Sequence, residues 1–385
     1  MLQVRLNKRR ILTLGAGLFL ASCKVIPDAG TGPVTAPPPG PSEPSANVLP
    51  TDSNRHRVAL LVPLSGDNAE VGQSIANATT MALLDTNGDN LRITTYDTAT
   101  GASSAAARAI ADGNKLILGP LLGEDVRTAI SVARPANVPL ISFSNDSTVA
   151  ARDVFLMGQS PEQSIRRAID YARGKGSRNF AALVPNGEYG RRAELAFNDA
   201  VRAAGGTVVS VQRYDRGNTS IVSAAHRLNA SGGFDTVLIA DSARLSIMAA
   251  RELRDQTASL HLIGTELWSG ESEIASAAPL RGGWFAAISD DRWRQFSDSY
   301  QSRFGSRPYR VATLGYDAVL LTLRVARDWQ PGRPFPTASL LDSTGFLGLD
   351  GPFRFQNSGL GERAMEVRQV GNGTVTVVDK APEKF

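Results

Sequence analysis

One cysteine, Cys23, stands in the whole chain, so no disulfide can close within it and no thiolate cluster can hold a metal. Histidine is almost as scarce: His56, His226 and His261 are scattered and each lacks a motif. No H-x-x-x-H, G-x-S-x-G or phosphate-loop spacing occurs. Metal hydrolysis, acyl transfer and phosphoryl transfer therefore have no sequence candidate; no catalytic residue, metal or cofactor is assigned, and an enzyme is not expected. Aromatics make up 6% of the chain and no basic stripe interleaves with them, which argues against nucleic acid as a partner. Long apolar runs are missing too. The run from Ile11 to Ala21 is too short for a spanning helix.

What the chain does have is a repeated β-α grammar. Val58 to Val62 is an unbroken apolar run, as in a strand buried on both faces. Pro63, Ser65, Gly66, Asp67 and Asn68 break it into a loop, and Val71, Ile75, Ala78 and Ala82 then recur at helical spacing. Strand, polar loop and amphipathic helix make one step of a parallel α/β sheet, with the loop at the strand's carboxyl end where such sheets place ligands. The pattern continues through strands at 91–97, 115–120 and 138–142 and helices at 102–111 and 121–133, and restarts at Phe180 to Val184. Further strands fall at 207–214, 234–240 and 282–288, with helices at 191–204, 221–229, 243–254, 293–304 and 311–328. After Gly345 the sequence becomes glycine-rich and alternating, which predicts hairpins. Two runs of β-α units of this length imply two similar α/β lobes, each a mainly parallel sheet flanked by helices, with a cleft between them.

The front of the chain is different. Arg5, Lys8, Arg9 and Arg10 precede the short apolar run, the layout of a signal peptide over residues 1–22. These four cations account for the whole net charge of +4, so the remainder is close to neutral. Leu20-Ala21-Ser22-Cys23 resembles the lipobox of bacterial lipoproteins. That resemblance implies lipidation of Cys23, and Lys24 in place of an aspartate favours an outer-membrane lipoprotein facing the periplasm of a Gram-negative cell. Residues 24–54 hold eight prolines. Such a segment cannot build a core and is expected to be a stiff tether that reaches up to about 100 Å at roughly 3 Å per residue.

Pro63-Leu-Ser-Gly66, Leu118-Gly-Pro120, Val138-Pro-Leu-Ile-Ser142, Tyr189-Gly190 and Gly315-Tyr-Asp-Ala318 lie in the order and spacing of the type I periplasmic binding proteins, the Leu/Ile/Val-binding superfamily. The resemblance covers about 55–385. It implies the two-lobed type I fold with three inter-lobe crossovers: lobe one about 55–160 plus 289–344, and lobe two about 161–288 plus 345–385. A narrower resemblance is to the lipoprotein activators of penicillin-binding proteins, whose C-terminal domain has this fold. Leu118-Gly-Pro-Leu-Leu122 carries it, because amino-acid-binding members place small hydroxyl or glycine residues where Leu121 and Leu122 stand. The activators also carry an N-terminal helical-repeat domain; here a proline-rich tether takes that place.

The loops expected at the cleft offer Ser65, Ser142, Ser144, Asn145, Tyr189, Asp241, Thr265 and Glu266. Hydroxyls can hold a carboxylate and Asp or Glu an amino group, so this set is a candidate site for a small zwitterion. The same residue types also cap helices and close turns whatever the function. Trp268, Trp284, Trp293 and Trp329, with Arg292 and Arg294 beside Trp293, are candidate partner contacts, although Trp293, Phe296, Tyr300 and Phe304 share the spacing of a packed helix face. Two functions follow from the resemblance: contact stimulation of a peptidoglycan synthase, or reception of an amino acid or similar solute for an ABC transporter.

Overall fold

The computed structural model describes residues 54–217, 219–254 and 259–385. The leader, Cys23 and the tether up to residue 53 lie outside the described residues. In chain order, the first lobe begins with β1 (His56–Val62), α1 (Ala69–Thr86), β2 (Leu91–Asp97), α2 (Ala102–Ala111), β3 (Leu116–Leu118), α3 (Gly123–Ala133), β4 (Leu140–Ser142) and β5 (Val154–Leu156). The second holds α4 (Pro161–Gly174), β6 (Asn179–Pro185), α5 (Glu188–Ala203), β7 (Thr207–Tyr214), α6 (Ser220–Ser231), β8 (Thr236–Ile239), α7 (Ala243–Arg254), β9 (His261–Gly264), α8 (Ser272–Ser276) and β10 (Trp284–Ala287). Then come α9 (Trp293–Phe304), α10 (Ala312–Val325), β11 (Phe346–Gly348), β12 (Gly351–Phe355), β13 (Gly361–Arg363), β14 (Glu366–Val370) and β15 (Val375–Asp379).

The first sheet has the order β2-β1-β3-β4-β5 and is parallel throughout. The second has the order β15-β14-β10-β9-β8-β6-β7, parallel except where β14 joins β10 and β15 joins β14. The apolar runs behave as buried strands should. On β1, Val58, Leu60 and Val62 enter one core with α10, and Ala59 and Leu61 enter another with α2 and α3. On β6, Ala181 and Leu183 face one side, and Phe180, Ala182 and Val184 the other. Period-two alternation thus serves two cores per sheet, which is why polar residues are missing from these strands.

Both lobes build the turn after their first strand in the same way. A Cβ on Gly72 would lie 1.7 Å from the Pro63 carbonyl oxygen, and one on Gly190 would lie 1.6 Å from that of Pro185. The strand-ending proline and the first turn of the next helix can approach this closely only through glycine. Gly119, at φ 96°, is similar: its Cβ would meet the Leu61 carbonyl oxygen at 2.1 Å.

The chain leaves the first lobe after β5, returns after β10 and leaves again between β13 and β14. The last passage differs from expectation. The resemblance to type I periplasmic binding proteins implies that residues 345–385 belong to lobe two. Instead β11–β13 form their own antiparallel sheet, and Phe346, Phe353 and Phe355 join the core of Leu60, Phe155 and Val319. The Leu156 amide also donates to the Gly359 carbonyl at 2.9 Å. Only β14 and β15 pair with the second sheet, so the division falls between Arg363 and Glu366. Hairpin periodicity predicts strands but says nothing about which sheet's aromatic face they cover.

Arginines lace the passages together. Arg363 donates from Nη2 to the Met157 carbonyl at 3.2 Å and presents Nη1 to Asp317 Oδ2 at 3.9 Å. Arg368 donates to the Ile288 carbonyl at 2.8 Å and pairs with Asp290 at 2.7 Å. Arg292 holds the Gly348 carbonyl at 2.8 Å.

Candidate functional site

The loops at the carboxyl ends of β6, β7, β8 and β9 bring part of the candidate set together. Tyr189, at the start of α5, shares a 2.9 Å hydrogen bond with the Thr265 hydroxyl and donates to Glu266 Oε1 at 3.1 Å. Ser164 of α4 donates to the other oxygen of Glu266. Asp241 follows β8; its Oδ2 accepts from Tyr214 at 2.6 Å and from Arg216 at 2.9 Å, and its Oδ1 accepts from the Ser242 amide at 2.7 Å. The Arg216 guanidinium also lies 5.1 Å from the Tyr189 ring centre and so joins the two halves. Burial pushes the Glu266 carboxyl up, against the Ser164 and Tyr189 hydroxyls that hold the anion down. Burial likewise pushes the Tyr189 phenol up, and the neighbouring Glu266 carboxylate adds to it.

The first lobe uses its candidates otherwise. Ser65 donates to Asp97 Oδ2 at 2.8 Å, beside the Leu64 amide on Asp97 Oδ1 at 2.8 Å, so it fastens the β1 loop to the end of β2. Ser142, fully buried, donates to the Pro120 carbonyl at 2.8 Å and accepts from the Ser144 amide at 3.0 Å. Ser144 in turn accepts from the Asp146 amide at 3.1 Å. These hydroxyls close turns. Asn145 is exposed, and its carbonyl meets the second lobe by accepting from Arg192 at 2.6 Å. Leu121 and Leu122 precede α3 instead of opening it, and both line a cavity of about 410 Å³ with Asn145, Gln159 and Arg310.

Arg192 is the residue that sequence reasoning missed. It is 7% exposed, on α5 one turn after Tyr189, and it clasps both oxygens of Glu162 at 3.0 and 2.9 Å. Glu162 also accepts from Ser147 of the first lobe at 2.9 Å. Burial works to raise the Glu162 carboxyl, yet the Arg192 fork prevails and holds it below its usual range. Through the Asn145 carbonyl on Arg192 and Ser147 on Glu162 this second-lobe pair forms a polar latch to the first lobe, and its two members, 30 apart in sequence, share no motif. Arg192→Ala is expected to lower stability by about 2 kcal/mol, since Glu162 keeps part of its solvent. Small-angle scattering should show a wider lobe separation, and an unchanged profile would remove the latch role. Arg216 was legible in principle, because it directly follows a strand end.

The histidines are all engaged. His56 stacks on Trp329 at 4.2 Å and His261 on Trp284 at 4.8 Å, and His226 faces Glu252 at 2.9 Å. Trp268, Trp284 and Trp329 are buried, which assigns them to packing; Trp293 is half-buried under Arg310, 4.6 Å from its ring centre. Among the described residues no His, Cys, Asp and Glu group could hold a metal ion, and no helix is long and apolar enough to cross a membrane.

Known proteins agree with this geometry. A putative branched-chain amino acid ABC transporter from Rhodospirillum rubrum superposes with TM-score 0.72 at 19% identity, covering 84% of this chain and all of that one. LivJ from Streptococcus pneumoniae, solved with isoleucine, gives TM-score 0.61 at 17% identity over 85% of this chain and all of that one. Among curated proteins, the penicillin-binding protein activator LpoA of Klebsiella pneumoniae is 34% identical over 140 residues, 36% of this chain and 19% of that protein. An uncharacterised Rickettsia prowazekii protein is 25% identical over 174 residues, 45% of this chain and 47% of its own length. The chain thus spans less than half the length of these curated relatives. The family model described as periplasmic binding protein matches residues 56–374. Sheet order, lobes and this match lead to one conclusion: the chain belongs to the periplasmic binding protein family.

Proposed function

We propose that this chain is a lipid-anchored periplasmic regulator that activates a penicillin-binding protein, a peptidoglycan synthase, by contact. The observation that carries the reading is the first-lobe wall of the cleft. Ser142 and Ser144 are buried and close turns, and Leu121 and Leu122 line the cavity beside them, so neither serine presents its hydroxyl to a ligand carboxylate there. The similarity to penicillin-binding protein activators supports the same reading. Anchoring at Cys23 of the outer membrane and reach along the tether complete it. Contact activates only if it favours the synthase's active state, and a tenfold preference is worth about 1.4 kcal/mol. The test is polymerisation and cross-linking by the organism's own synthases with and without the purified full-length protein. A rate that does not rise with any of them would sink the proposal.

A second reading is favoured by the second-lobe cluster. Tyr189, Thr265, Glu266 and Asp241 present hydroxyls and carboxylates together, and solved relatives hold amino acids. Under it the chain is a solute receptor for an amino acid or similar molecule. Calorimetric titration with pooled amino acids decides: micromolar binding lost in Glu266→Gln would put the receptor reading first.

A further inference from the structure

The first-lobe cavity has a chemistry of its own. About 410 Å³ opens between the β3–α3 loop, the end of β4, the first inter-lobe passage and the start of α10, a size suited to a small ligand. Leu121, Leu122, Phe143, Val311 and Leu314 make its apolar wall. Its charged groups are closed on one another. Asp350, 1% exposed, accepts from Arg310 on one oxygen and from the Thr313 hydroxyl at 2.8 Å on the other. Arg310 is further matched by Asp290 at 3.6 Å and by the Trp293 ring. What faces the cavity without a partner is two primary amides, the side chains of Asn145 and Gln159, neither of which makes a hydrogen bond among the described residues.

This combination selects a ligand by charge. A free amino acid would bring a carboxylate and an ammonium into a site where every opposite charge is already paired, and the unpaired ions would lose hydration without compensation. A primary amide, in contrast, carries both a donor and an acceptor and so matches a peptide group. The chain already makes that match once: Gln163 donates to the Gly361 carbonyl at 2.7 Å and accepts from the Arg363 amide at 2.9 Å, pairing with the free edge of β13 as a strand would. We propose that this cavity binds a peptide segment, an aliphatic side chain on the leucine wall with its flanking amides on Asn145 and Gln159, and that it excludes free amino acids. The inference rests on the contact reading above only for which protein supplies the segment.

The test compares N-acetyl-L-leucinamide, N-acetyl-L-leucine and L-leucine by saturation-transfer NMR and calorimetry on the full chain. The doubly blocked compound should bind at least tenfold more tightly than leucine, with the singly charged one between them. Gln159→Ala and Asn145→Ala should each weaken it about tenfold or less, the effect of one neutral hydrogen bond, without moving the melting temperature. Leucine binding as tightly as the blocked compound, or no binding of the blocked compound, overturns the proposal. Synthase stimulation measured on the same preparation separates the two readings, because stimulation without binding of the blocked compound removes this cavity and leaves the contact reading standing.

Discussion

Arg363→Met is expected to lower the melting temperature by about 10 °C, the counterpart of about 3–5 kcal/mol. Arg363 is 6% exposed, lies 5.0 Å from the Phe353 ring centre and holds the Met157 carbonyl through Nε and Nη2. Its Nη1 is the nearest cation to the buried Asp317, whose other oxygen accepts from the Leu349 amide at 2.6 Å. Met fills the space but removes that cation, so at pH 8, above the value at which Asp317 titrates, it leaves an uncompensated buried carboxylate beside Asp350. A double replacement, Asp317→Leu with Arg363→Met, should recover most of the loss, because a buried pair is seldom better than apolar residues of similar volume. Scanning calorimetry of the three variants decides; a single-variant drop below about 3 °C would show that the pair matters little.

The same group sets a pH dependence. Burial, then the neighbouring Asp350 charge, pushes the Asp317 carboxyl up to about 7, against the pull of Arg363. A raised carboxyl holds its proton more tightly in the folded chain than in the unfolded one. Its contribution is therefore complete below the unfolded value of 3.8 and is lost as pH rises through about 7. Asp153, held low by Arg134, works in the opposite sense: its stabilisation is present above 3.8 and lost as pH falls through its folded value. Stability should decline from about pH 5 to pH 7.5, and Asp317→Asn should flatten that decline. A slope unchanged by Asp317→Asn would assign the dependence elsewhere.

Gly72→Ala and Gly190→Ala are the other large expected effects, about 3 kcal/mol each. In both, the new Cβ falls within 1.7 Å of a proline carbonyl oxygen, so a helix must move away from its strand. At position 190 that helix carries Tyr189 and Arg192, and the Tyr189–Glu266 bond and the inter-lobe latch should loosen together. Gly174→Ala makes the contrast. It sits at the end of α4 with nothing within 4 Å of its Cβ, and should stabilise by about 0.5 kcal/mol or more. Denaturant melts of the three variants give the comparison, and a mild Gly190→Ala would refute the steric account.

These glycines also show why the family was legible. Gly72 belongs to the opening strand–loop–helix, Gly119 to Leu118-Gly-Pro120, Gly190 to Tyr189-Gly190 and Gly315 to Gly315-Tyr-Asp-Ala318. Each lies where an added Cβ would meet backbone, Gly315 at 2.8 Å from the Ile75 carbonyl oxygen. Local sequence records such demands because one residue type alone satisfies them. Strands buried on both faces were equally plain. The site was only half legible. Loop position located Tyr189, Asp241, Thr265 and Glu266, which do converge, but the same signal selected Ser65 and Ser142, which close turns. Whether a hydroxyl caps a turn or meets a ligand depends on carbonyls from distant strands. Arg192, Arg363 and Asp317 act through partners 30 to 206 residues away and leave no local trace. The lobe that β11–β13 join is set in the same way, by aromatic and aliphatic partners far away in sequence.

The interleaved path also has a cost in time. The face of β1 formed by Val58, Leu60 and Val62 is covered by Ile75 and Ala82 of α1 and by α10 and β12, and the last two are made only after the elements from α4 to β10. At about 5–20 residues per second, synthesis from Leu156 to Ala312 takes on the order of ten seconds. Throughout that interval the apolar side of the earliest strand is covered only in part, by α1. The first lobe therefore stays incomplete while most of the second is made, and a chain interrupted in the second lobe would expose the apolar surface that α10 and β12 cover.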